Sequence, residues 1–424
     1  MKITIIGAGS TYTPELIEGL ILHREDLPLD ALSLMDIDHR KLSIVGDLSN
    51  RMLEAANMPV RAELTEDLDR ALTGADYVLV QIRVGKLPAR ILDETIPLKY
   101  NLIGQETTGI GGFFKALRTI PVLKDIAGRM EVLCPNAWMF NFTNPSGIMA
   151  EMVLNHTNVR MVGLCNCPIN MIGSVREAMN LPDAEMEFAG LNHLSWITSI
   201  KSRGREYIED AIAQGVTAGM MKNVSQAGQD YDVVRKVHAI PTAYQQYYYF
   251  RNAKQDDMKK AEKSRGEVCV EIEEKLLEQY QNPNLSIKPP ELSLRGGARY
   301  SEAAINLLSA IHNDKKERHV VNILSRGAVP FLEDHDAVEI ASIAGRGGVT
   351  PIPLQTPVNP HIRALCRIVK EYEKLTVLSG LTGDDEAALN ALLVHPLVGD
   401  YTAAKACYLE MKQAHKAYLP QFFK

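Results

Sequence analysis

Apolar residues along the first part of the chain fall into short runs separated by helical spacing. Residues 3–6 are β-branched and apolar, and they lead directly into Gly7-Ala8-Gly9-Ser10. The pattern predicts a helix over 13–22, with Pro14 suited to its first turn. Residues 31–35 form a second apolar run that ends in Asp36-Ile37-Asp38, and helical spacing returns over 40–56. Further strands are predicted at 77–82, 137–142 and 160–164, with a helix at 114–128. Continuous apolar strands alternating with helices specify a parallel sheet covered on both faces. From Pro168 the rhythm changes to long, mostly helical segments, with strands expected only near 187–188 and 194–200. The fold class read from this is α/β: a Rossmann-like parallel-sheet domain over 1–165, then a larger mixed, mostly helical domain over 166–424. Residues 281–290, with Asn-Pro and Pro-Pro, read as a loop.

Length and composition narrow the function. A chain of 424 residues buries a sizeable core without staples. The six cysteines are scattered, which points to free thiols in a reducing cytoplasm. The start carries one Lys and then a core strand, so no signal peptide is expected, and no stretch reaches the apolar length of a membrane span. Acidic residues outnumber basic ones for a net charge of −6, with no basic tract. Nucleic-acid and membrane-surface binding are therefore not expected.

The candidate chemistry begins at the first turn. Gly7 and Gly9 let the backbone approach a pyrophosphate, whose charge the following helix N-terminus stabilises. The third glycine of the usual fingerprint is missing. Asp36, ending the second strand, suits a ribose diol and disfavours a 2′-phosphate, so NAD is expected over NADP. Far downstream stand Cys165-Asn166-Cys167-Pro168 and Asn192-His193. Thiolate and imidazole suit a borderline divalent metal, and two ligands alone would leave the site open for catalysis. Taken singly, each is more often an ordinary core residue. The Cys-x-Cys spacing offers Cys167 as a further ligand, but it is assigned another purpose, since Pro168 fixes a turn just after it and its side chain need not face the site. Residues 104–112 read as a glycine-rich loop whose Gln105 and Glu106 line a site or merely cross over. Asn144-Pro145 closes a strand with a turn, which would point Asn144 at the crevice. Arg83, Arg90 and Arg295-Gly296-Gly297 suit bidentate phosphate binding, or surface ion pairing. In the aromatic run after Pro241, most residues read as packing, with one Tyr available as a base.

Together these pieces resemble glycoside hydrolase family 4, the NAD- and metal-dependent glycosidases. The resemblance rests on the Ile-Gly-Ala-Gly-Ser start, Arg83-Val84-Gly85, Gly104-Gln105-Glu106-Thr107, Thr143-Asn144-Pro145, Cys165-Asn166-x-Pro168, Asn192-His193, Pro241-x-x-Tyr244 and Arg295-Gly296-Gly297, in family order. Asn after the metal-binding Cys looks like the members acting on 6-phosphorylated β-glucosides, in which Cys167 usually finds an aliphatic counterpart. The resemblance implies a two-carboxylate-free reaction: C3 oxidation, C2 deprotonation, C1 elimination, water addition and return of the hydride. It implies that Cys165 and His193 hold a metal, expected to be manganese, and that Tyr244 is the C2 base. It implies that Asn166 and Asn144 face the sugar, that Arg83, Arg90 and Arg295 take the 6-phosphate, and that Gly7, Gly9, Ser10 and Asp36 hold NAD. The family is usually dimeric or tetrameric, and helices expected over 362–375 and 401–418 offer a face for that. Two other classes are weighed against this reading. A lactate/malate-type NAD-dependent 2-hydroxy-acid dehydrogenase shares the NAD half, but no His here is followed by Gly. A nucleotide-binding regulatory module would show no turnover.

Overall fold

The computed structural model describes residues 1–217, 231–295 and 300–423. The predicted apolar runs become strands β1 (Lys2–Ile6), β2 (Ala31–Met35), β3 (Ala62–Thr65), β4 (Tyr77–Val80), β5 (Trp138–Asn141) and β6 (Arg160–Gly163). All six pair in parallel, in the order β6-β5-β4-β1-β2-β3. Burial is nearly continuous in β1, β2, β4 and β5, as two-sided coverage by helices requires, and breaks in the edge strand β3. The short β3 was not expected, since its Glu63 breaks the apolar run.

The second half carries more strand than its sequence suggested. β7 (Glu185–Leu191) and β8 (Leu194–Ser202) form a hairpin, extended by β9 (Arg205–Glu206) and β10 (Ile240–Pro241) into a small antiparallel sheet. β11 (Glu317–Leu324), β12 (Ala337–Gly345) and β13 (Gly348–Pro351) then add to the first sheet, antiparallel, beyond β6. The main sheet therefore has nine strands and runs through the expected boundary at 165. The junction is slight, with Asn322 opposite Gly163 as the one registered pair.

The helix Gly109–Leu133 packs on Pro360–Thr382. It starts earlier than predicted. Gly111 and Gly112 are its first turn, and a Cβ on either would strike the carbonyl of Gln105 or Thr107, so glycine serves close packing there and not looseness. A buried ion group, Asp93 with Arg118 and His415, ties this helix to the chain's last turns at 2.7–3.0 Å. His39–Ala55 begins at Asp38, whose carboxylate accepts from the Lys41 N–H.

Candidate active site

One cleft of about 850 Å³ runs along the ends of the parallel strands and gathers most of the residues singled out in the sequence. At one end is the first turn. Gly7 has φ +83°, and a Cβ there would sit 2.8 Å from the Gln81 carbonyl oxygen. Gly7 and Ala8 donate to the Met35 carbonyl, which binds the turn to β2. Asp36 accepts from the Gly9 N–H at 2.8 Å and from the Asp38 N–H at 2.9 Å. Burial raises its carboxyl above the ordinary value, and those backbone donors oppose the shift. The helix Thr13–Leu22 opens here with no side-chain cap among the described residues, so its N-terminal dipole faces the cleft beside Ser10. These features fit a dinucleotide's pyrophosphate and ribose.

The middle of the cleft is a buried charge group. Arg83 and Lys115 both pair with Glu106, the latter at 2.8 Å, and Arg90 lies 3.1 Å from the same carboxylate and 2.8 Å from Glu94. Burial would raise the Glu106 carboxyl, but Arg83, Arg90 and Lys115 outweigh it and hold it well below the carboxylate range. Burial and the neighbouring Arg83 push the Lys115 ammonium down to about 7. Arg295 keeps other company. It pairs with Glu273 at 3.1 Å, donates to Thr11 and lies over the Tyr12 ring at 5.2 Å. Gly296 and Gly297 lie outside the described residues.

At the far end His193 lines the cleft, with the buried Cys165 sulfur within 4.8 Å of its ring. Cys165 caps the helix Asn166–Met179, its sulfur accepting from the Cys167 N–H at 3.4 Å. His193 sits in the two-residue turn between β7 and β8 at φ +63°. One ring nitrogen meets the Thr107 hydroxyl at 3.1 Å, and its ring stacks on Tyr244 at 3.8 Å and 6°. Tyr244 reaches this position because β10 pairs with β8, Pro241 opposite Trp196, just before its short 3-10 turn. Asn166 and Asn144 line the same space. Asn144 precedes a cis peptide bond to Pro145, and its Oδ1 is buried with no partner among the described residues.

The expectation that Cys167 turns elsewhere is corrected. Its sulfur, the Cys165 sulfur and a His193 nitrogen all lie within 4.8 Å of one another. The turn fixed by Pro168 starts a helix, and its first turn carries both sulfurs to the same side. A hydrogen bond from the Cys167 thiol, and then the nearby His193, hold the Cys165 thiol well below its ordinary value, against burial. This donor set fits a divalent metal.

Three residues were missed. Lys115 left a signal, a lone cation in the apolar run Phe113-Phe114-Lys115-Ala116-Leu117. Thr107 stood in a quoted motif without a role. Glu339 left none: it lies on β12, in a part of the chain read as helical. It is buried and accepts from Asn192 at 2.9 Å and from the Ser195 hydroxyl at 2.6 Å, so it grips both flanks of His193. Burial, and then Cys165, push its carboxyl up to about 7.

Residues 2–181 match the profile described as family 4 glycosyl hydrolase, and residues 188–398 match that family's C-terminal domain. A probable 6-phospho-β-glucosidase of Bacillus subtilis is 44% identical over 100% of this chain and 98% of its own. A 6-phospho-β-glucosidase of Escherichia coli is 39% identical over 100% and 97%. The structure of the 6-phospho-β-glucosidase of Thermotoga maritima with manganese, NAD+ and glucose 6-phosphate superposes with a TM-score of 0.88. It is 33% identical to this chain, and the match covers 99% of each.

Proposed function

This chain belongs to family 4 of the glycosyl hydrolases, and on that premise we propose that it hydrolyses 6-phosphorylated β-glucosides with resident NAD and a divalent metal. The observation that carries this reading is the convergence at one end of the cleft, where the ring of His193 stacks on Tyr244 beside Asn144 and Asn166.

When bound, NAD supplies a reversible hydride acceptor at sugar C3, and the metal supplies positive charge beside O2 and O3. Gly7, Gly9, Ser10 and Asp36 hold the dinucleotide, and Cys165 and His193 hold the metal. Tyr244 takes the C2 proton on its hydroxyl oxygen. Its stacking on His193 fixes that oxygen's direction relative to the metal ligand. Asn166 and Asn144 hydrogen-bond the sugar hydroxyls, and the unpartnered Oδ1 of Asn144 is a ready acceptor. Arg83 and Arg90 receive the 6-phosphate, joined by Lys115. With Lys115 protonated, these three cations face Glu94 and Glu106, which leaves one positive charge for the ligand. Arg295, held by Thr11, Tyr12 and Glu273 apart from that group, lines the same cleft and is assigned to the 6-phosphate as well.

We assign cofactor binding to residues 1–165 and metal, substrate and assembly to 166–424. Exposed Ile368, Leu378, Tyr401 and Leu409 on the helices Pro360–Thr382 and Tyr401–Ala414 support a homodimer or homotetramer. Six free cysteines support a cytoplasmic setting, and among the described residues no helix is long and apolar enough to cross a membrane.

The test is nitrophenol release from the α- and β-nitrophenyl glucoside 6-phosphates with NAD, manganese and a thiol reductant, each then omitted. Turnover of the β anomer alone, lost without NAD or metal, is expected. Cys165→Ser abolishes that turnover while NAD binding stays near normal. Activity indifferent to NAD and metal refutes the mechanism, and turnover confined to unphosphorylated glycosides refutes the substrate class.

A further inference from the structure

Cys165 and Cys167 flank Asn166 at the start of one helix, and both side chains are buried, 3% and 1% exposed. An apolar wall of Ile103, Ala243, Tyr247 and Leu397 surrounds them. Cys167 packs on that wall, yet its sulfur also stands within 4.8 Å of both the Cys165 sulfur and a His193 nitrogen, which core filling does not require. A four-coordinate ion with metal–sulfur bonds of ~2.3 Å spans donor–donor edges of ~3.8 Å. Three donors no more than 4.8 Å apart need to close by at most about 1 Å per edge to share one ion.

We propose that Cys167 is a third protein ligand of the metal, giving two thiolates and an imidazole, with the open side left for the substrate oxygens. This rests on the metal site proposed above. Two thiolates make the set softer than one thiolate and one imidazole. Such a set favours zinc, cobalt(II) or iron(II) over manganese, which prefers oxygen donors. The chain's metal preference then departs from that of a site with an aliphatic residue at this position.

The test uses cobalt(II) as the probe. The metal-free full chain is titrated anaerobically, and the thiolate-to-cobalt charge-transfer band is read in the near ultraviolet. Cys167→Val and Cys165→Ser are each expected to show about half the wild-type band, since each removes one of two thiolates. Zinc affinity, measured by competition with a chromophoric chelator, falls tenfold or more in Cys167→Val, on the order of what loss of a supporting contact alone costs. Cys167→Ser, nearly isosteric, is run beside it with circular dichroism to separate ligand loss from unfolding. An undiminished band in both folded Cys167 variants overturns the inference whatever the zinc affinity, and leaves Cys167 as a hydrogen-bond donor to Cys165. No band in the wild type overturns the metal reading beneath it as well.

Discussion

Replacing Glu339 with Ala tests whether the site is held from behind. The carboxylate accepts from Asn192 and Ser195, on either side of His193, and no water reaches it, since the residue is 1% exposed. Glu339→Ala strands the buried Ser195 hydroxyl and the half-buried Asn192 amide, while Asn322, 3.5 Å from the same carboxylate, keeps the Gly163 carbonyl. At about 1–3 kcal/mol for each stranded group, the loss is about 2–6 kcal/mol. Glu339→Gln keeps the volume but turns an amide N–H₂ toward one of the two donors, so its cost is about 1–3 kcal/mol. Denaturant unfolding of the metal-free chain measures both. The turn that presents His193 is loosened as well, so manganese affinity falls in both variants, more in Glu339→Ala. A cycle with Asn192→Ala separates the shared part, because removing both partners of a hydrogen bond costs less than stranding one. The reasoning is refuted if Glu339→Ala unfolds within about 0.5 kcal/mol of wild type, the range of an inconsequential surface change, and binds manganese as before.

Lys115, held near pH 7 by burial and Arg83, makes phosphate recognition pH-dependent. Its depressed value means the charged form weakens the folded state below about 7, and stability recovers as pH climbs from 7 toward 10.5. One of three cations is lost over the same climb, so glucose 6-phosphate affinity falls by up to about tenfold per pH unit above 7. Calorimetry should show proton uptake on binding, and Lys115→Met should flatten the profile. Gly7→Ala forces a side chain into φ +83° and against the Gln81 carbonyl. It should cost about 1–3 kcal/mol of stability and weaken NAD, read by denaturation and by cofactor fluorescence. Asp36→Ser removes the carboxylate that would repel a 2′-phosphate, so the NAD-to-NADP affinity ratio should fall about tenfold or more. An unchanged ratio would remove Asp36 from the ribose.

The parallel sheet was legible because each strand announces itself locally. Within the apolar runs, residues 3–6, 32–35, 77–80 and 161–164 are buried throughout, and a fully buried strand needs no partner to be recognised. β11 and β12 were not legible for the opposite reason. Glu317, Arg318 and His319 open β11 half in solvent, and Glu339 interrupts the apolar pattern of β12 with a buried charge. Glu339 makes sense only through Asn192 and Ser195, which the sequence places far away. The same distance explains the site. Cys165 and His193 were found because their motifs are compact, whereas the stacking of Tyr244 on His193 depends on β10 pairing with β8. Cys167 was misplaced by arguing from Pro168 as a turn residue, when Pro168 lies in the first turn of a helix.

The single-pair seam between β6 and β11 also sets a timetable for synthesis. Gly163 leaves the ribosome 159 residues before its partner Asn322. At ~5–20 residues per second the open edge of β6 waits about 8–32 s for its cover. During that interval the nascent first half presents an unpaired parallel edge, the kind of surface that recruits strands from other chains. Expressing residues 1–165 alone would make that interval permanent. The cofactor-binding half should then aggregate, or need a chaperone, while the full chain does not. A gene cut at the motif boundary yields a piece whose shape is finished by residues encoded much later.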